Sequence, residues 1–140
     1  MHIIARDDIG PFVGDDGAIV RELASPQNSP LTRHSLAEIR HPAGTASQEH
    51  FHTEAEEAYF VLSGQGGIRV DGETRSIGPG DVVVIAPGER HTVWQEGESD
   101  LVLLVTCVPA YSVDEVVFTE RICKRIAVDN LAGTRYNRCI

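Results

Sequence analysis

The chain has 140 residues, 41% of them hydrophobic and 24% charged, and its formal net charge is −9. That length fits one domain with a core of its own, and the ordinary composition argues against wholesale disorder. The acidic balance argues against nucleic acid and against anionic lipid surfaces as partners, because both need a basic face on the protein.

The N-terminal segment and the cysteines indicate the cellular compartment of the protein. The first residues contain no basic stretch followed by a long apolar run, so we expect no signal peptide. No apolar run is longer than the five residues of 101–105, which is far too short to span a bilayer. The three cysteines include no CxxC pair, which predicts reduced thiols in a cytoplasm. Of these, Cys107 continues an apolar strand and is interpreted as a buried small hydrophobe.

Short β-prone segments, separated by Gly, Pro and Asp turn signals, follow one another along the chain. Tight turns such as Asp71-Gly72 predict hairpins between them. The predicted strands, in chain order, are 18–23, 35–40, 49–52, 58–62, 68–70, 74–77, 82–85, 92–95 and 101–108. Many short strands at this spacing predict an all-β fold, an antiparallel sandwich or barrel.

The C-terminal part is less uniform than the rest. Residues 115–128 could form one helix with acidic residues first and basic residues later, although Val116, Val117 and Phe118 are equally good strand material. Residues 120–140 hold five basic and two acidic residues, in contrast to the acidic remainder. We therefore expect a domain over residues 1–119 and a short helical or irregular extension over residues 120–140.

Four side chains between residues 50 and 91 form a candidate metal site. His50 and His52 are separated by one residue, so on a strand their imidazoles point to the same face. Glu57 opens the next strand, and His91 begins a later one. Inward positions of different strands converge at one end of a barrel, so the fold can bring these side chains together.

Three neutral imidazoles and one carboxylate are a borderline nitrogen and oxygen donor set. Such a set suits Fe, Mn, Ni, Co, Cu or Zn and differs from the all-oxygen cages of calcium or magnesium. We therefore predict one divalent metal ion per chain. A cation that prefers five or six ligands would keep positions open for a substrate or for dioxygen.

The spacing around these four residues resembles the two motifs of the cupin family. The first motif runs from Gly44 to Gly64, and the second runs from Gly80 to Gln95 with two departures. Ala86 occupies a position where the family usually has Pro, and Gln95 one where it usually has Asn. The resemblance implies a single jelly-roll β-barrel that holds one metal through four ligands and commonly forms a homodimer; these ligands would be His50, His52, Glu57 and His91.

Three further side chains are candidates for catalysis. Tyr59 shares a strand face with Glu57, and Gln95 shares one with His91 if that strand is regular. Glu54 lies in the acidic bend before Glu57 and could act as a base, although such bends are more often solvated. Strand parity leaves open whether Arg40 or His41 points inward.

The leading functional hypothesis is a metal-dependent enzyme on a small oxygen-bearing organic molecule. Within it we favour a dioxygenase that uses Fe(II) or a similar metal. The alternative is a non-redox isomerase, epimerase or lyase acting on a sugar or sugar acid. A non-catalytic metal-binding module is the third hypothesis, because a fold does not fix a function.

Overall fold

The computed structural model describes residues 1–119, which contain eleven strands and two single 3-10 turns, at Arg6–Asp8 and Val113–Glu115. Every predicted strand is present, with ends that coincide with the prediction or differ by up to three residues. Strand β1 is an addition, and β11 corresponds to the strand alternative for Val116–Phe118. The strands are β1 (Phe12–Val13), β2 (Ile19–Ala24), β3 (Ser35–His41), β4 (His50–His52), β5 (Glu56–Ser63), β6 (Gln65–Val70), β7 (Glu73–Ile77), β8 (Val82–Ile85), β9 (His91–Glu96), β10 (Leu101–Val108) and β11 (Val116–Phe118).

These strands form two antiparallel sheets. The six-stranded sheet has the order β1-β2-β3-β10-β5-β8, and the five-stranded sheet has the order β11-β4-β9-β6-β7. The all-β jelly-roll prediction is confirmed. The described strand pairings stay within one sheet or the other, so the jelly roll is a sandwich of two sheets rather than a closed barrel.

The core lies between the two sheets and follows from alternation along the strands. In β10 the side chains of Leu101, Leu103, Val105 and Cys107 are buried, whereas those between them are partly exposed. They pack against buried residues of both sheets in one cluster. Each buried aliphatic side chain contributes about 1.5–3 kcal/mol to the free energy of unfolding.

The turn between β5 and β6 requires its glycine. Gly64 has a φ of +81°, a conformation that other residues adopt at a cost, and a Cβ there would overlap the Asp100 backbone. This position ends the first motif, so the motif fixes the reversal that leads from the six-stranded sheet into the five-stranded one.

The C-terminal part of the description corrects one prediction. Instead of beginning a helix over residues 115–128, the chain makes a 3-10 turn at Val113–Glu115 and then forms β11, which pairs with β4. The free edge of β4 offers hydrogen bonds that favour extended β-branched residues here. The rest of the predicted helix and the extension over residues 120–140 lie outside the described residues. Within residues 1–119, no helix is long and apolar enough to cross a membrane.

Candidate metal centre

The three histidines come from the five-stranded sheet. His50 and His52 point to the same face of β4 and are 6% and 2% exposed. Antiparallel pairing of β4 with β9 sets His50 directly opposite His91, which is fully buried. The one-residue spacing and the strand register together therefore gather three imidazoles on the inner face of one sheet.

The carboxylate comes from the opposite sheet. Glu57 lies near the start of β5, and its Oε2 is 3.0 Å from His91 Nε2 and 3.3 Å from His52 Nε2. One ligand atom from each of His50, His52, Glu57 and His91 lies within 4.8 Å of the others, and all four residues are buried. The structure thus brings together the four residues that the sequence predicts as metal ligands.

Backbone carbonyls orient two of the rings. His50 Nδ1 is 2.8 Å from the carbonyl oxygen of Gln48, and His91 Nδ1 is 2.9 Å from that of Glu89. An Nδ1–H donor in each ring satisfies these carbonyls and leaves the Nε2 lone pair facing the cluster. That is the tautomer in which an imidazole binds a metal through Nε2.

The contacts inside the cluster fit a bound cation. Nε2 of His52 and Nε2 of His91 are buried, and neither has a hydrogen-bond partner among the described residues. In the metal-binding tautomer each is an acceptor facing the Glu57 carboxylate, and two acceptors about 3 Å apart repel unless a positive charge lies between them. A divalent ion of the borderline class supplies that charge and matches the donor set.

The electrostatics of the metal-free protein point the same way. Burial opposes ionisation of Glu57, but the adjacent His52 and His91 outweigh it and hold the pKa of the carboxyl below its usual range. Burial likewise disfavours protonated His91, yet Glu57 raises the pKa of this ring above its usual value. Burial, together with the neighbouring His91, lowers the pKa of His50. The Glu57 carboxylate is therefore ionised, and its negative charge attracts a cation.

Two side chains of the six-stranded sheet hold the Glu57 carboxylate. The Tyr59 hydroxyl donates to Oε2 at 3.3 Å, and the Cys107 thiol donates to Oε1 at 3.1 Å. Burial and the proximity of Glu57 raise the pKa of both groups, which keeps both protonated as donors. Cys107, predicted only as a buried hydrophobe, is thus also a hydrogen-bond donor, and its inward parity on β10 is the sequence signal for this contact.

A cavity of about 280 Å³ adjoins the cluster and reaches His50, His52 and Glu57. Its wall is mostly aliphatic and aromatic, and three carboxylates, Asp15, Asp16 and Glu22, also line it. No lysine or arginine is among its described lining residues. The apolar lining residues include Phe12, Val13, Val20, Ala37, Ile39, Val105, Tyr111, Val116 and Phe118.

The other two predicted catalytic residues lie away from this cavity. Glu54 is exposed in the bend between β4 and β5. Gln95 is buried, but its amide oxygen accepts from the Gly44 N–H at 2.8 Å, and its amide nitrogen donates to three carbonyls of the 96–99 turn. The structure therefore joins Tyr59 to the cluster and gives Gln95 a role in tying two loops together.

The second motif supports the centre through its backbone. Gly88, with a φ of +84°, donates its N–H to the His52 carbonyl at 2.8 Å. Ala86 uses an N–H that proline lacks, donating to Glu89 Oε2 at 2.7 Å. The open parity is also resolved: His41 is buried, whereas Arg40 is exposed and bonds Asp100 at 3.1 Å.

Comparison with known proteins identifies the family. The family model described as "Cupin domain" matches residues 37–107, just over half of the chain. This chain belongs to the cupin family. An uncharacterized protein of Methanocaldococcus jannaschii is 33% identical over 114 residues, which cover 81% of this chain and 91% of the relative.

Solved structures similar to this cupin share its fold. The nucleoside dehydratase Pac13 of Streptomyces has a TM-score of 0.70 at 16% identity, covering 86% of this chain and 92% of its own. A predicted oxalate decarboxylase of Thermotoga maritima has a TM-score of 0.69 at 23% identity, covering 77% and 99%. The polyketide cyclase RemF of Streptomyces resistomycificus has a TM-score of 0.69 at 26% identity, covering 77% and 79%.

Proposed function

We propose that this cupin is a metal-dependent enzyme acting on a small, uncharged, oxygen-bearing organic molecule, with dioxygenase chemistry as the leading reaction. One observation carries the proposal: three imidazoles and one carboxylate converge beside a mostly apolar cavity large enough for such a molecule. His50, His52, Glu57 and His91 would hold one divalent ion per chain. When bound, that ion would supply Lewis acidity and, if redox-active, electrons for dioxygen chemistry.

The lining of the cavity supports an uncharged substrate. Asp15, Asp16 and Glu22 repel anions, and the described lining offers no lysine or arginine to bind a phosphate or a free carboxylate. The apolar wall excludes water and favours rings or short carbon chains. Phenols, enediols and diketones combine such a body with oxygen atoms that bind metals, so we propose this class and rank sugar phosphates below it.

Among the predicted catalytic residues, Tyr59 has the best support as a proton donor. It lines the cavity, and its hydroxyl lies beside Glu57. Its raised pKa keeps the proton on the phenol until a strong base develops nearby. The exposed position of Glu54 and the fully used amide of Gln95 leave both as weaker proposals.

Non-redox chemistry is the second candidate. The similar structures include a dehydratase, a predicted decarboxylase and a cyclase, and RemF is 26% identical to this chain. The reactions in these names proceed without dioxygen, which supports a non-redox reaction for this cupin. In such a reaction a bound cation would polarise a carbonyl. An isomerase, epimerase or lyase belongs to this same class. A non-catalytic metal-binding module is the third candidate.

Oxygen consumption separates these candidates. Protein loaded with Fe(II), Mn(II) or Zn(II) is incubated with catechols, enediols and β-diketones, in air and under nitrogen, while dissolved oxygen and product masses are followed. Uptake of oxygen that depends on His50 supports the dioxygenase. Equal turnover under nitrogen supports the non-redox enzyme, and no turnover together with tight binding supports the module.

We also propose a homodimer in a reducing cytoplasm. The outer face of the six-stranded sheet exposes Phe60, Leu62, Val82 and Val84, and strand pairing sets Phe60 beside Val82. A second copy would cover this face. Light scattering after gel filtration checks the mass in solution, and a monomer at micromolar concentration would rule the dimer out.

A further inference from the structure

We infer that Glu115 is a positioning residue for the metal ligand His52. Its carboxylate occupies, on the Nδ1 side of that ring, the place that backbone carbonyls occupy for the other two histidines. This inference rests on the proposed metal site. It concerns a residue outside the segment matched by the family model, 37–107.

The three rings differ in what faces Nδ1. A carbonyl two residues earlier lies 2.8 Å from His50 Nδ1 and 2.9 Å from His91 Nδ1. His52 Nδ1 is buried and has no hydrogen-bond partner among the described residues. The charged group that faces it is Glu115 Oε1, at 3.8 Å.

Glu115 is held at that position from two sides. Its Oε2 accepts the Ala55 N–H at 3.1 Å, and its backbone carbonyl accepts the Thr53 N–H at 3.0 Å. Within residues 1–119 its buried Oε1 has no hydrogen-bond partner, and the whole side chain is only 12% exposed. Glu115 therefore braces the bend that leads from His52 to Glu57 and leaves one oxygen aimed at the ring.

His52 Nδ1 and Glu115 Oε1 are both buried, and neither has a hydrogen-bond partner among the described residues. They face each other at 3.8 Å, so a small approach would let a proton on Nδ1 bond the carboxylate. An Nδ1–H on His52 would point at Glu115 and leave Nε2 free for the metal, matching the tautomer of the other two rings. The negative charge would also strengthen the ring as a donor. Burying an unpaired carboxylate oxygen is costly, so this pairing would offset the cost of burying Oε1 of Glu115.

The strand that follows reinforces this arrangement. Val116 lies opposite His52 in the pairing of β11 with β4. Strand β11 and the turn before it lie outside the two motifs, and they contact His52 from the side that the motifs do not cover.

Titration with cobalt(II) alone tests the inference. Metal-free wild type, Glu115→Gln and Asp114→Asn are compared by calorimetry and by the visible absorption of the bound ion. The Gln variant can keep the bond to Ala55 and removes only the charge, whereas Asp114 is an exposed carboxylate in the same turn. We expect about tenfold weaker binding and a shifted cobalt spectrum in Glu115→Gln, because losing an outer carboxylate partner has effects of this size.

The outcomes separate the two proposals. Equal affinity and identical spectra for Glu115→Gln and wild type would overturn the role of Glu115 and leave the metal site standing. Absence of cobalt binding in wild type would overturn both. A second measurement compares the zinc-loaded proteins by long-range proton–nitrogen NMR, which follows the chemical shift of His52 Nδ1. This shift should change in Glu115→Gln and stay the same in Asp114→Asn, and an unchanged shift in Glu115→Gln would contradict the inference.

Discussion

The two sheets contribute different things to the same centre. The five-stranded sheet supplies three imidazoles, which β4 and β9 gather by register. The six-stranded sheet supplies the carboxylate of Glu57, the donors that hold it, and the apolar side chains of the cavity wall on β2, β3 and β10. The nitrogen donors thus come from one layer and most of the cavity wall from the other, with Val116 and Phe118 of β11 as exceptions. Variants on β2, β3 or β10 can therefore change the cavity and leave the nitrogen donors intact.

The largest effect should come from removing the charge that the six-stranded sheet adds to the metal site. In Glu57→Gln, three imidazoles remain without an anion, and we expect divalent metal affinity to fall at least about 100-fold, more than an outer-sphere change costs. Calorimetric titration measures it. The adjacent Glu56 is exposed, so Glu56→Gln is the matched control. Equal affinities in both variants would show that Glu57 is no ligand.

A smaller and more selective effect should follow from filling the cavity. Ala37 lines it on β3, whereas Ser76 is exposed on β7 of the other sheet, away from the cavity. We expect Ala37→Phe to weaken binding of 4-nitrocatechol to the zinc-loaded protein about tenfold by overpacking the wall, with metal affinity unchanged. Absorbance titration of the probe measures this. A loss of similar size in Ser76→Phe would contradict the proposal that the cavity is the substrate site.

The smallest of the three effects should be the change of metal affinity with pH near neutrality. Metal binding requires deprotonated rings, and Glu57 raises the pKa of His91 in the metal-free protein. Protons therefore compete with the metal below that pKa, and affinity should fall as the pH falls, by about tenfold per pH unit for one displaced proton. It should level off above the pKa. Zinc titrations at a series of pH values check this, and a flat profile would contradict it.

Local pattern and motif spacing predicted much of this molecule. The strands follow from β-prone segments between Gly, Pro and Asp turns, and the one-residue spacing of His50 and His52 fixes a shared face. That Glu57 and His91 would meet them came from the resemblance to the family's motifs. Contacts between residues distant in the chain carry no such local signal. The two-residue strand β1 is also too short to leave a pattern.

Glu115 and Gln95 show what the sequence does not predict. The structure places Glu115 beside the metal centre without a sequence signal, and it places Gln95 away from the centre in spite of one. Glu115 belongs to a segment that reads equally well as helix or strand, and only the pairing of β11 with β4 brings it to His52. Gln95 has the strand parity of a site residue, yet its amide is used by two loops. Parity states which face a side chain takes, but the partners on that face depend on the tertiary structure.

Elemental analysis of the purified protein tests the central claim most directly. Wild type, His50→Ala and His34→Ala are compared by mass spectrometry after metal-free preparation and reconstitution; His34 is an exposed histidine outside the centre. We predict about one equivalent of a divalent transition metal per chain in wild type and His34→Ala, and a loss of the metal in His50→Ala. Metal-free wild type after reconstitution, or equal metal in all three proteins, would contradict a four-ligand centre.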